Sequence, residues 1–502
     1  MSVELPARAS LEHLKSQAKE LLRARRERDA EALERFASHT AVAAEPKLAD
    51  AQHVVAREYG FATWTALKEH IESRGRTTDP FAALVQAFHE NDVSRVDDLL
   101  RTHPEIRAGL NRPAPGASFG TTPLLVAVNA GNREMIDVLL RNGADINARS
   151  EWWAGSFGVL DTCALGLAPF LIERGATVDA HAAARLGMLE RLDELISANP
   201  ELVHARGGDG QTPLHFASSV VIAKYLLDHG ASIDAKDVDH ESTPAQYMIR
   251  DRQDVAGFLV TRGCKTDILM ASALGAYELV RRYLDDDPSS IRTRVSKEYF
   301  PMEDVRAGGS IYIWTLGGDK TPHVVARDFG HDDVYRLLME RSTEEQQLAQ
   351  ACAVGDEQLF NALLARRPDL AKTLSRGEQR KLVDAAEQNN AAAVRLMLAA
   401  GWPVGARGNL NATALHFASW MGNTEIVREL LKRGAPVDVR GDEYDMTPLG
   451  WAIHGSKNSW RQKDGDFPGV VGLLLDAGAP APKLTPDLDA SEAVRTLLRK
   501  RR

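Results

Sequence analysis

One phrase recurs along this chain. It reads Thr212-Pro213-Leu214-His215-Phe216-Ala217, then Thr413-Ala414-Leu415-His416-Phe417-Ala418, then Thr447-Pro448-Leu449-Gly450-Trp451-Ala452. Looser copies begin at Thr122, Thr243 and Thr321. The step from Thr413 to Thr447 is 34 residues, and from Thr212 to Thr243 it is 31. About 20 residues after a copy an apolar stretch ends in Gly-Ala, as at Gly143, Gly175, Gly230, Gly434 and Gly478. A period near 30 is too short for a unit to bury a core of its own, so neighbouring units must stack.

Each copy has a physical reading. Thr caps a helix start, Pro suits the first helical turn, and Gly before Ala closes a second helix. In EIVRELLKRGAPVD, Ile426, Val427, Leu430 and Leu431 share one helical face. Residues 184–206, 272–294 and 350–372 lack the Thr-Pro signature but also read as helix pairs ending near a Pro. The ordered landmarks resemble the ankyrin repeat over roughly four-fifths of the chain. The resemblance implies an all-α repeat solenoid of about twelve helix-turn-helix units over 79–482, with lengthened finger loops and a polar closing helix in 483–502.

Residues 1–76 leave the repeat. Leu11, Leu14, Ala18, Leu21 and Leu22 form an amphipathic helix after Ser10, and Lys47–Tyr59 and Thr63–Glu72 read as two more helices. This segment resembles the helical leader ahead of repeats in bacterial ankyrin proteins, which implies a bacterial origin. Phe61, Trp64 and Leu67 offer an apolar face for capping the first repeat. The stretch around Gly60 also looks like a helix-turn-helix, but Lys68 and His70 stand beside Glu69 and Glu72, a poor surface for phosphates.

Charge and composition narrow the partners. The 61 basic and 70 acidic side chains give a net charge of −9, and the head is nearly neutral, so the array carries the acidity. Nucleic acid is therefore disfavoured. No apolar run reaches the roughly 18 residues of a membrane span, and three isolated cysteines suit a cytoplasmic setting. No nucleotide-binding, zinc-protease or nucleophile-elbow motif occurs. His215 and His416 read as structural, so neither a metal nor a cofactor is expected and no catalytic residue is assigned.

The irregular segments carry the functional signal. Residues 109–120, 149–158, 297–318 and 455–468 break the period, and a strand is expected over Ser310–Leu316. Four of the eight Trp fall in them: Trp152, Trp153, Trp314 and Trp460. Phe157 and Tyr312 are further aromatic candidates. The rings either fold back over the scaffold or wall a binding cleft. The repeat resemblance further implies that the residues ending each first helix face a concave palm, among them Arg250, Asp328, Trp420, Met421 and His454. Trp420, Met421 and His454 lie beside the insert carrying Trp460, Asp464 and Asp466, and Gly450 is expected to open space beside Trp451. The resulting expectation is a non-catalytic scaffold for a partner protein. The alternative is a small-molecule binder or unorthodox enzyme whose inserts close over the palm, with His454, Asp319, Asp328, Asp464 and Asp466 as its polar groups.

Overall fold

The helix-and-turn pattern runs through all of the computed structural model, which describes residues 11–26, 29–39, 46–68, 80–114, 117–441, 445–485 and 488–501. Glu69, His70 and Glu72 of the helix-turn-helix reading lie outside the described residues. Among the described residues there is no strand, only an isolated bridge between Arg407 and Thr413. The chain divides into two compact units: 1–218 with 224–231, and 219–223 with 232–502.

The first unit begins with helices Leu11–Arg26, Ala30–His39 and Leu48–Glu58. The middle helix was not legible in the periodicity. Asp29 starts it by accepting the Ala32 N–H at 3.0 Å, and Arg35 ties it to Glu58 through two bonds of 2.8 and 2.9 Å. Leu14, Leu21, Phe36, Val54, Val55 and Leu67 form a core of their own, with Phe61 and Trp64 packed against it. The apolar face expected to cap the first repeat is thus turned into the head itself.

The repeats follow the expected capping logic. Thr122 accepts the Leu125 N–H at 3.3 Å and starts Pro123–Asn129. Asn132 then accepts the Met135 N–H at 2.9 Å and starts Arg133–Arg141, and Gly143 closes the pair at φ +99°. Successive loops are latched by one device. Asn111 takes the Asp145 N–H at 2.7 Å, and Asn147 takes the Thr177 N–H at 2.8 Å. A core from Leu84 to Ala182 runs beneath them.

In the second unit, Ile268, Ala271, Val280, Leu284, Ala326, Val334 and Leu338 form one cluster. A larger core runs from Leu348 to Leu498. The closing helix Glu492–Lys500 completes it by burying Val494 and Leu498. The expected strand at Ser310–Leu316 is instead a single helical turn, Tyr312–Thr315. A strand would place residues 312, 314 and 316 on one face, yet Tyr312 and Leu316 are buried while Trp314 is 69% exposed. The buried phenol of Tyr312 donates to Asp267 at 2.8 Å, which fixes the turn. Among the described residues, no helix is long and apolar enough to cross a membrane.

Candidate functional site

In the last full repeats, Trp420 ends helix Ala414–Trp420, while Trp451 and His454 lie on Pro448–Asn458. The latter helix runs 11 residues against 7 for the former, so part of the insert is a helical extension. Trp460 follows in the turn. Trp420 is the hub: its ring centre lies 6.2 Å from Trp451, 5.9 Å from His454 and 5.9 Å from Trp460. Trp451 anchors the group from below, edge-on to His416 and Phe417 at 5.3 and 5.2 Å. Trp460 is 70% exposed.

The polar side of this face is tethered by Asp489. Its carboxylate meets His454 Nδ1 at 2.9 Å and Lys457 Nζ at 2.8 Å, and accepts from Asn458 Nδ2 at 2.7 Å. The bonds from Lys457 and Asn458, with the nearby His454, hold the Asp489 carboxyl below its usual range. Sequence reading missed Asp489, Lys457 and Asn458. The (i, i+4) spacing of His454 and Asn458 could have flagged one helical face, but Asp489 reaches it only through the fold.

Other candidates have different surroundings. Met421 is buried, and Asp466 caps helix Phe467–Asp476 by accepting the Gly469 N–H at 2.8 Å. A Cβ at Gly450 would meet the end of the Met446 side chain at 3.1 Å. Arg250 donates to the Thr315 carbonyl at 2.6 Å and lies 5.7 Å over the Phe329 ring, beside the turn bearing Trp314. Asp328 pairs with Lys320 at 2.9 Å. Insert 297–318 folds back on the preceding loop, where His240 Nδ1 meets the Gly309 carbonyl at 2.7 Å and Ser242 Oγ accepts the Ile311 N–H at 3.1 Å.

The early inserts of the first unit pack on each other. Ser150 and Phe157 exchange bonds of 2.9 and 2.8 Å, closing the loop between them. Phe119 stands edge-on to Trp152 at 4.8 Å and to Phe157 at 6.2 Å, and Trp152 meets Trp153 at 6.2 Å. Phe157 also lies on Gly208, where a Cβ would approach it to 2.2 Å. Trp152, Trp153 and Phe157 are half-buried in this packing, and Phe119 stays 48% exposed.

Comparison with known proteins bears on the repeats. Family models described as ankyrin repeats match residues 119–151, 180–270 and 382–461. The Drosophila melanogaster protein Palmitoyltransferase Hip14 is 32% identical over 124 residues, which is 25% of this chain and 18% of that relative. A solved structure, the human ASB11 ankyrin repeat domain, is matched at 19% identity over 61% of this chain and 99% of that one, with a TM-score of 0.23. With its helix pairs, capped starts and matched stretches, the chain carries ankyrin repeats in an all-helical repeat solenoid.

Proposed function

We propose that the chain is a non-catalytic binding scaffold that engages a partner protein through the face formed by Trp420, His454 and Trp460. The observation that carries this is the 70% exposure of Trp460 while it rests on a tryptophan ring 5.9 Å away. Isolated exposed apolar residues are ordinary. An exposed Trp held edge-on by a second Trp, whose ring also meets His454 of the polar group His454, Lys457 and Asp489, has the makings of an interface hot spot. In this reading, the array 79–482 is bounded by a bacterial-type helical leader at 1–76 and a closing segment at 483–502. Three buried free cysteines suit a reducing cytoplasmic setting.

The test is site-specific crosslinking in the native host. A photoreactive phenylalanine analogue replaces Trp460, with the same analogue at fully exposed Val305 as the control. One protein should couple from position 460 and not from 305. That protein, purified, should bind the unmodified chain and bind Trp460→Ala at least about tenfold more weakly. Equal affinities, or the same adducts from both positions, would remove this face from the binding surface.

A further inference from the structure

A cavity of about 400 Å³ in the second unit shares no residue with the tryptophan face. Its size lies within the roughly 300–1,000 Å³ of small-molecule sites. Arg292, Arg294, Arg376, Arg380, Lys381 and Arg407 line it, against two carboxylates, Glu298 and Glu378. Two of the cations are engaged. Arg380 pairs with Asp319 and Asp384 at 2.5 and 3.2 Å, and Arg407 donates to the carbonyls of Asn411 and Arg440 at 2.6 and 3.0 Å. Among the described residues, Arg292, Arg294, Arg376 and Lys381 meet no carboxylate at ion-pair distance. The 12-residue helix Arg376–Glu387 starts at the cavity wall and adds the positive end of its dipole.

A second, independent observation comes from the same walls. Thr321 Oγ1, His323 Nδ1 and Gln350 Oε1 are buried without a hydrogen-bond partner, on side chains 5%, 2% and 2% exposed. The state of His323 follows from its neighbour. Ser342 Oγ donates its one hydrogen to the Leu338 carbonyl at 2.7 Å, so at 2.7 Å from His323 Nε2 it accepts. Nε2 therefore carries the proton and Nδ1 is a bare acceptor. Burial, with Lys381 nearby, pushes this imidazole down to about 3 and keeps it neutral. Unmet acceptors at such depth are rare in native proteins. The cavity thus offers unpaired cations for an anion and unpaired acceptors for hydroxyl or amide donors.

We propose that this cavity binds a phosphorylated small molecule bearing hydroxyl groups. Its phosphate sits among Arg294, Arg376, Lys381 and the helix start, and its hydroxyls donate to His323 Nδ1 and Gln350. A phosphate monoester brings close to two negative charges and three strong acceptor oxygens, which suits several cations better than one carboxylate would. The site goes beyond the partner-protein reading and stands or falls without it.

Titration calorimetry on the full chain tests it with glucose 6-phosphate, ribose 5-phosphate, glycerol 3-phosphate, inorganic phosphate, glucose and a phosphoserine peptide. At least one of the three phosphorylated probes should bind saturably and more tightly than inorganic phosphate, and glucose should not bind. Arg376→Ala, at an exposed position, and Arg294→Gln should each weaken binding at least about tenfold while melting as the parent does. His323→Leu should weaken the hydroxylated probes and leave inorganic phosphate unchanged. No saturable binding at millimolar probe would overturn the proposal, as would binding indifferent to both arginine substitutions. Tighter binding of the phosphopeptide would overturn the assignment to a small molecule.

Discussion

At Thr413 the histidine three residues on closes its own helix start, whereas at Thr321 the histidine arrives one residue earlier and closes nothing. His416 Nδ1 accepts the Thr413 N–H at 3.1 Å and the hydroxyl at 2.9 Å, leaving Nε2 to donate to the Met446 carbonyl at 3.2 Å. The copy at Thr212 and His215 repeats this at 3.1 and 3.0 Å. In Thr321-Pro322-His323-Val324 the third position is Val, so no imidazole reaches back to the Thr; Thr321 makes no side-chain cap either, and two polar atoms are stranded. Each stranded group costs about 1–3 kcal/mol. The same scaffold therefore carries a satisfied histidine in one repeat and an unsatisfied one in another. The difference marks where stability has been given up beside a cationic cavity.

The contrast breaks first at His416. His416→Ala strands the buried Thr413 N–H and the Met446 carbonyl and leaves a gap beneath Trp451. It should lower unfolding free energy by about 3 kcal/mol in urea titrations. His323→Ala leaves a similar gap but removes a ring with only one satisfied nitrogen, and should cost about 1 kcal/mol less than His416→Ala. Equal losses would erase the distinction between the two repeats.

Acid should act on both histidines in the same direction. Burial pushes His416 down to about 4 and His323 to about 3, from an ordinary 6.5. The unfolded chain therefore takes up protons first as pH falls. Stability from each is whole above about 6.5 and is lost on descent, through about 4 for His416 and about 3 for His323. The His416 share is about 3 kcal/mol. Thermal midpoints between pH 7 and 4 should drop less steeply in His416→Ala than in the parent; parallel curves would refute the neutral buried imidazole.

What the sequence discloses follows from where the causes lie. Thr-Pro-Leu-His is local: its cap, its Pro and its histidine bond fall within four residues, so the repeat is legible without any structure. The turn at Tyr312 is not, because its partner Asp267 is 45 residues away. The aromatic face was half legible. Trp420, His454 and Trp460 stand out by type and register, but the tether at Asp489 comes from beyond the repeats. The cationic cavity was missed altogether, since its residues come from segments between 291 and 407. The shifted His323 and the basic pairs Arg292 with Arg294 and Arg380 with Lys381 were visible signals, but only the fold brings them to one wall.

The comparison sharpens most when one repeat is turned into the other. His323→Leu combined with Val324→His rewrites residues 321–324 as Thr-Pro-Leu-His, the spelling at Thr212. The new imidazole would stand three residues from Thr321, in reach of its N–H and hydroxyl as at Thr413. The double variant loses the bond from His323 Nε2 to Ser342, worth about 1 kcal/mol, but relieves two stranded groups at about 1 kcal/mol or more each. A net gain of about 1 kcal/mol in urea titrations is expected, with the position-324 imidazole titrating well below 6.5 by NMR. Binding of the hydroxylated phosphates should fall, because the acceptor has left the cavity. A gain in stability without that fall would separate the displaced histidine from ligand binding. A loss of stability, with an imidazole that titrates normally, would mean that the spacing from Thr321 is not what strands the two atoms.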